Sequence, residues 1–370
     1  MEALARLQTV ASHLLLRPAP APAVAAAPAA ASTGSSLATR LLPRVPTAEL
    51  DALAASIGDR VDIGFAAKHL ESGACYSTNA ERRFPPASAI KLPIMIALYK
   101  AAADGELDMD ASLPIPPGVD HHGTGKLKDE AGTVPPRSLR QYCRLMMEVS
   151  DNVATDTIIH ALGLGAVNSL LDTWGFDRIR MTMTIGRWHH AILGLANAAA
   201  WPIGAAHTVA ERARRVDAAQ WDDDGPGYSG SLANNVMAAR QTMELLELLQ
   251  TGELASEADT EEMLTWMRNA TFANTLGRYL APGVSLANKH GGSRRIAADC
   301  GIISRLPGGG GTVLIAAFAL ARSRGEDGKK LPGDNWPKAE SIEVMAQMAG
   351  MFVRSVDPDA VLPILSRTQR

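Results

Sequence analysis

Two apolar runs near the end of the chain, RRIAADCGIISRL at 294–306 and GTVLIAAFALA at 311–321, flank the glycine-rich PGGGG. The pair reads as a β-hairpin, because both runs have strand length and the glycines supply the reversal. A hairpin commits this part of the chain to a sheet, and a sheet needs further strands. SLANKHGG at 285–292 supplies one, and VDIGFAAKHLESGACYSTNA at 61–80 supplies two more around the turn ESG. Ahead of these, TAELDALAASIG reads as an amphipathic helix with Thr47 as its N-cap and Gly58 near its end.

The middle of the chain is patterned differently. Segments 88–103, 136–149, 151–161 and 165–174 carry helical periodicity or composition, with Gly and Pro clusters between them. Helices are also expected at about 235–250 and 257–269, and AESIEVMAQMAGMFVRSV forms a final one. Helix and strands first, helices in the middle, strands and a helix last describe an α+β fold: an antiparallel sheet flanked by helices, with an inserted all-helical part. The expected boundaries are an Ala/Pro-rich segment and linker at 1–45, a domain at 46–355 and a tail at 356–370. Within the domain, 46–85 and 230–355 make the sheet part and 86–229 the helical part.

A chain of 370 residues with a formal net charge of −3 offers no basic footprint for nucleic acid and no polybasic membrane anchor. No apolar run reaches the eighteen or so residues of a membrane span. A small-molecule or neutral partner is therefore expected; the chain is also expected to be a monomer, which charge does not decide. Cys75, Cys143 and Cys300 are too scattered for a disulfide framework or a C-x-x-C site, and are expected as buried thiols. Near the N-terminus, Arg6 precedes LQTVASHLLL and the small residues of APAVAAAPAAAS, but Gln8, Thr9, Ser12 and His13 interrupt the apolar stretch. A cytoplasmic location is expected, with export as the alternative.

Three short stretches hold residues that can carry chemistry. Ser88 follows Pro85 and Pro86 where a helix begins, and Lys91 lies one turn further on the same face. Unpaired N–H groups at such an end favour a developing oxyanion, and a desolvated lysine there has reason to lose its proton and act as a base. Taken alone, the pair also reads as an ordinary cap with a solvated lysine. Ser150, Asp151 and Asn152 sit between two helical stretches, able either to face a cleft or to cap the second helix. Lys289 ends a strand, followed by His290 and two glycines that permit close approach of a ligand or another backbone.

The order and spacing of these stretches are more specific than any one of them. S-x-x-K at 88–91, S-D-N sixty-two residues later and K-H-G on a late strand resemble the motif set of class A β-lactamases and penicillin-binding proteins. The surrounding GTGKL, LLDTWGF and EEMLTWMRNAT agree, and the resemblance runs over roughly residues 46–355. It implies an active-site-serine hydrolase that opens β-lactams through an acyl-enzyme and needs no cofactor or metal. It also implies roles. Ser88 is the nucleophile, Lys91 the base or relay, and Ser150 a proton shuttle to the leaving nitrogen. Asn152 binds substrate and Lys91, Lys289 faces the substrate carboxylate, and the N–H groups of Ser88 and Gly292 form the oxyanion hole.

The departures from that family bear on the same roles. His290 stands where the family has a small hydroxyl residue, and would add positive charge only in mildly acidic solution. In GRWHHAIL, Arg187 and Trp188 match the family's loop, but His189 occupies the position of the glutamate that activates the deacylating water. His189 is therefore the candidate deacylation base. The stretch from His190 to about Tyr228 is some thirty residues longer than the usual loop, and its acidic run at 222–224 reads as a solvated turn or as a substitute carboxylate. The doublets His121-His122 and His189-His190 lack the spacing of zinc ligands. An esterase or D-peptidase of the same fold, or a slowly turning over penicillin-binding sensor, are the alternatives.

Overall fold

The computed structural model describes residues 43–117, 119, 123–130, 135–193, 222–272, 275–325, 328–329 and 338–363. The chain divides into Met1–Leu41, which lies outside the described residues, and Leu42–Arg370. The second part opens with helix α1 (Thr47–Ala55), then strands β1 (Val61–His69), β2 (Cys75–Thr78) and the short β3 (Arg83–Phe84). A 3-10 turn (Ala87–Ile90) leads into α2 (Lys91–Ala103). Next come the short β4 (Ser112–Leu113) and β5 (Arg137–Ser138), then α3 (Leu139–Glu148), α4 (Asn152–Leu162), α5 (Leu164–Thr173) and α6 (Ile185–Ile192). The chain returns through β6 (Met237–Ala238), α7 (Ala239–Gln250) and α8 (Glu257–Arg268) to β7 (Ser285–Gly292), β8 (Ile296–Ser304) and β9 (Val313–Ala321), and α9 (Lys338–Val356) follows.

The five long strands form one antiparallel sheet in the order β2-β1-β9-β8-β7. Its central strand β9 is apolar at every position because both faces are covered, which is what removes the usual apolar/polar alternation. Val313, Ile315, Ala317 and Ala319 join the core built with Leu50 of α1 and Met345, Met348 and Phe352 of α9. Leu314, Ala316, Phe318 and Leu320 join the other core, with α7 and the helical region. Register on β9 therefore decides which core each side chain enters. In the second core α2 is apolar on all sides and buried over almost its whole length, so it is a central helix and not an amphipathic surface one.

Several expectations needed adjustment. Thr47 is the first residue of α1 and not its cap, which falls on Pro46, and the helix ends at Ala55, short of Gly58. The helix expected from 136 begins at Leu139, where Ser138 and Gln141 complete a reciprocal capping box. The one expected from 235 begins at Ala239, after the bridge of β6 to β3. Cys143 and Cys300 are buried thiols, whereas Cys75 is exposed on the edge strand β2.

Candidate active site

Ser88 lies in the 3-10 turn ahead of α2, one step earlier than a plain helix start. The residue before it, Ala87, has φ +46, a left-handed conformation that an L side chain adopts only where its surroundings impose it. Strand β7 supplies the confinement. A Cβ placed on Gly291 would stand 2.7 Å from Ala89 N and 3.1 Å from Ser88 N, so the strand backbone lies directly against the turn. Only glycine permits this approach, which brings Gly292 and Ser88 to the same end of the cleft.

Lys91, the first residue of α2, is fully buried. Its Nζ donates to Ser150 O at 2.7 Å, Ser150 Oγ at 3.2 Å and Asn152 Oδ1 at 2.7 Å. Burial, reinforced by the charge of Lys289, holds its pKa well below the ordinary lysine value, although Asp151 and Asp156 oppose the shift. Ser150 bridges the two lysines, because Lys289 Nζ also donates to Ser150 Oγ, at 3.1 Å, and to His290 O at 2.9 Å. Lys289 is itself buried, and its pKa is pushed down to about 8.

The S-D-N junction is built for this convergence. Ser150 takes φ +55 between α3 and α4, which turns its carbonyl and hydroxyl toward Lys91. Asp151 does not face the cleft. Fully buried, it caps α4 through Ala154 N at 2.9 Å and accepts from Lys126 N and Leu127 N at 2.6 and 2.9 Å. It thereby ties the 123–127 loop to α4, while Thr124 donates to Ser150 O at 2.8 Å and its own carbonyl accepts from Asn152 N at 3.0 Å. Gly123 and Gly125, at φ +72 and +120, pack against Asn152 and Asp151 where no Cβ would fit.

His189 reaches the same wall from α6. A Cβ on Gly123 would lie 3.3 Å from His189 Cε1 and 3.4 Å from Nε2, and it would also meet the Asn152 amide. His189 Nδ1 pairs with Ile185 O at 3.0 Å, which assigns the proton to Nδ1 and the lone pair to Nε2 in the neutral ring. The helix carrying it is held by α4: Asp156 accepts from Ile185 N and Gly186 N, each at 2.8 Å. Trp188, buried, donates from Nε1 to Gly227 O at 3.0 Å and fixes the far side.

The acidic run at 222–224 forms a turn in which Asp224 is exposed, as a solvated turn would have it, whereas Asp223 is not. Asp223 is buried and pairs with Arg294 at 3.3 Å, and its carbonyl accepts from Arg295, whose guanidinium lies 4.8 Å over the Tyr228 ring. Asp224 pairs with Arg324 at 2.9 Å. Asp223 thus fastens the end of the long loop to the β7–β8 turn, and Asp224 ties it to the segment that follows β9. His121 and His122 lie outside the described residues, and among the described residues no three His, Cys, Asp or Glu side chains form a metal-binding group.

His290 lies at the cleft edge with the Phe272 ring stacked on it at a centroid distance of 6.2 Å. Burial pushes its pKa down to about 4, aided by Lys289 and Lys338, so the ring is neutral across ordinary pH and the expected mildly acidic protonation is displaced. Lys338 escaped sequence reasoning, since it begins α9 without a motif. Asp299 escaped it as well. Fully buried on β8, it accepts from Asn288 Nδ2 at 2.7 Å and Leu276 N at 3.2 Å, and desolvation raises its pKa to about 6. The glycines in GTGKL were the one sequence signal for the close approach of the 123–127 loop.

Residues 46–349 match the model of the beta-lactamase enzyme family, and the chain belongs to that family. It is a β-lactamase-like serine hydrolase. None of the curated proteins compared with it matches. Among solved structures it is similar to PBP-A at 21% identity, covering 83% of this chain and 95% of that one with a TM-score of 0.62. A β-lactamase from Sphaerobacter thermophilus DSM 20745 is 19% identical, covers 85% and 98% of the two chains and has a TM-score of 0.62. One from Chitinophaga pinensis DSM 2588 is 20% identical, with coverage of 82% and 97% and a TM-score of 0.58. These likenesses establish the fold, α+β with the antiparallel sheet. No described helix is long and apolar enough to cross a membrane.

Proposed function

We propose that the protein opens β-lactams, or related amides and esters, through an acyl-enzyme on Ser88, and that it releases the acyl group slowly. The observation that carries the reading is the buried Lys91 ammonium site, bonded to Ser150 and Asn152 beside a turn on which strand β7 presses. With its pKa depressed, Lys91 takes the Ser88 hydroxyl proton as Oγ attacks the carbonyl carbon. The resulting oxyanion is held by the N–H groups of Ser88 and Gly292. Ser150, bridging Lys91 and Lys289, passes a proton to the leaving nitrogen as the C–N bond breaks. Asn152 orients substrate and Lys91, and Lys289 attracts the substrate's anionic group.

Deacylation is assigned to His189, whose Nε2 is the acceptor in the neutral ring and removes a proton from the attacking water. An imidazole places that nitrogen differently from a glutamate oxygen, and misplacement of about 1 Å can cost on the order of a hundredfold. This supports the reading of a slowly turning over penicillin-binding protein over that of a fast hydrolase. PBP-A, in a substituted form, has itself been solved as an acyl-enzyme complex with penicillin-G.

Intact-protein mass spectrometry after mixing with benzylpenicillin tests the proposal. A one-to-one adduct is expected in the wild type and none in Ser88→Ala. An adduct mapped to another residue removes the assignment. Adduct lifetime then tests His189: it should lengthen in His189→Ala and shorten in His189→Glu, and an unchanged lifetime in both variants rejects His189 as the base.

A further inference from the structure

We infer that Phe272 is a specificity-determining residue: with the His290 ring it forms an aromatic shelf beside Lys289 that takes a flat, neutral, aromatic substituent on the leaving side of the substrate. The inference rests on the acyl-transfer reading above and concerns a residue that lies outside the three motifs.

The segment carrying Phe272 is fastened in two directions. Glu148, two residues before Ser150, holds it from α3: Thr271 N and Thr271 Oγ1 donate to Glu148 O at 2.9 and 3.1 Å, and Asn269 Nδ2 donates to Glu148 Oε1 at 3.1 Å. From β7 the buried amide of Asn288, next to Lys289, donates to Phe272 O at 3.2 Å and to Asp299 Oδ1 at 2.7 Å. Phe272 is thereby set at the rim between Ser150 and Lys289, whose own side chains are bonded to each other at 3.1 Å. Because Ser150 hands its proton to the leaving nitrogen in the acyl-transfer reading, this rim borders the leaving side of the substrate.

Despite that anchoring the side chain is not covered. Among the described residues the exposed large apolar side chains are Leu232, Phe272 and Leu362, and Phe272, 38% exposed, is the aromatic one. Its ring lies 28° from the plane of the His290 ring at a centroid distance of 6.2 Å, a stacked arrangement within the range of aromatic pairs that a further ring can join. Covering the open part of the Phe272 ring removes apolar surface from water, which favours an apolar occupant. His290 is neutral at ordinary pH and brings no charge, and Lys289 and Lys338, the cations that help to hold it neutral, disfavour a cationic substituent on the same shelf. The occupant that fits is therefore a neutral ring.

The test uses two cephalosporins that share one acylamino side chain and one carboxylate and differ only at the 3-position, on the ring that holds the leaving nitrogen: a phenylvinyl group in one, a methyl group in the other. In Phe272→Ala the acylation rate constant at low substrate should fall on the order of tenfold for the phenylvinyl compound relative to the methyl one, the size expected when an aromatic contact is lost. Phe272→Tyr should keep the wild-type preference. A second measurement avoids the chemistry: equilibrium binding of both compounds to Ser88→Ala, with and without Phe272→Ala, should show a similar relative loss. Equal losses for both compounds, no Phe272-dependent preference in either measurement, or a preference lost as fully in Phe272→Tyr as in Phe272→Ala overturns the inference. A preference in binding together with no Ser88 adduct in the wild type would instead reject the acyl-enzyme reading and leave the aromatic shelf standing.

Discussion

Gly291→Ala puts one methyl group between strand β7 and the Ser88 turn. The new Cβ would clash most severely with Pro86 O and stand 2.7 Å from Ala89 N and 3.1 Å from Ser88 N, against ordinary contact at 3.4 Å or more, and these neighbours are backbone atoms that cannot rotate away. Strand and turn must separate by roughly 1 Å, a displacement that can cost on the order of a hundredfold in rate, or about 2.7 kcal/mol of transition-state stabilisation. Overpacking costs about 1–3 kcal/mol of folding stability, so the variant should remain folded and melt several degrees lower. Stopped-flow acylation by benzylpenicillin, run well below the melting temperature and with circular dichroism as a fold control, measures the effect. A rate within threefold of wild type would falsify the claim that contact between β7 and the Ser88 turn sets the geometry of the oxyanion site.

Three further outcomes are expected. Acylation by an anionic donor should decline as pH rises through about 8, where Lys289 loses its charge, and Asp299→Asn should move that limb to lower pH because it removes a carboxylate that favours the ammonium. A neutral donor measured alongside should lack this Asp299-dependent displacement. Between pH 5 and 8 the acid side of the profile should have the same shape in wild type and His290→Thr, because the imidazole titrates near 4, and a difference centred near pH 6 would contradict that assignment. Asp156→Ala leaves two buried N–H groups at the start of α6 unsatisfied, at about 1–3 kcal/mol each, and should lengthen the adduct lifetime by loosening His189, measured by mass spectrometry, while leaving acylation within a few-fold.

The strands and the chemistry of the motifs were legible in local sequence, since each depends on neighbours along the chain. An apolar run beside a glycine turn is a hairpin wherever it folds, and S-x-x-K sets a hydroxyl one turn from an amine. Even the capping reading of Asp151 was open to sequence, because a cap lies next to its helix. Whether Lys91 is a solvated lysine or a base was not, because its depressed pKa comes from burial against Ser150 and Asn152, sixty residues away in the chain. The same holds for Asp223, which composition presents as a water-loving acid and the fold buries against Arg294. Sequence fixes which groups are present and which local shapes they favour. Dielectric and charge neighbours come only from long-range packing, and this is why Lys338, placed beside Gly292 by the docking of α9, carries no signal in the sequence at all.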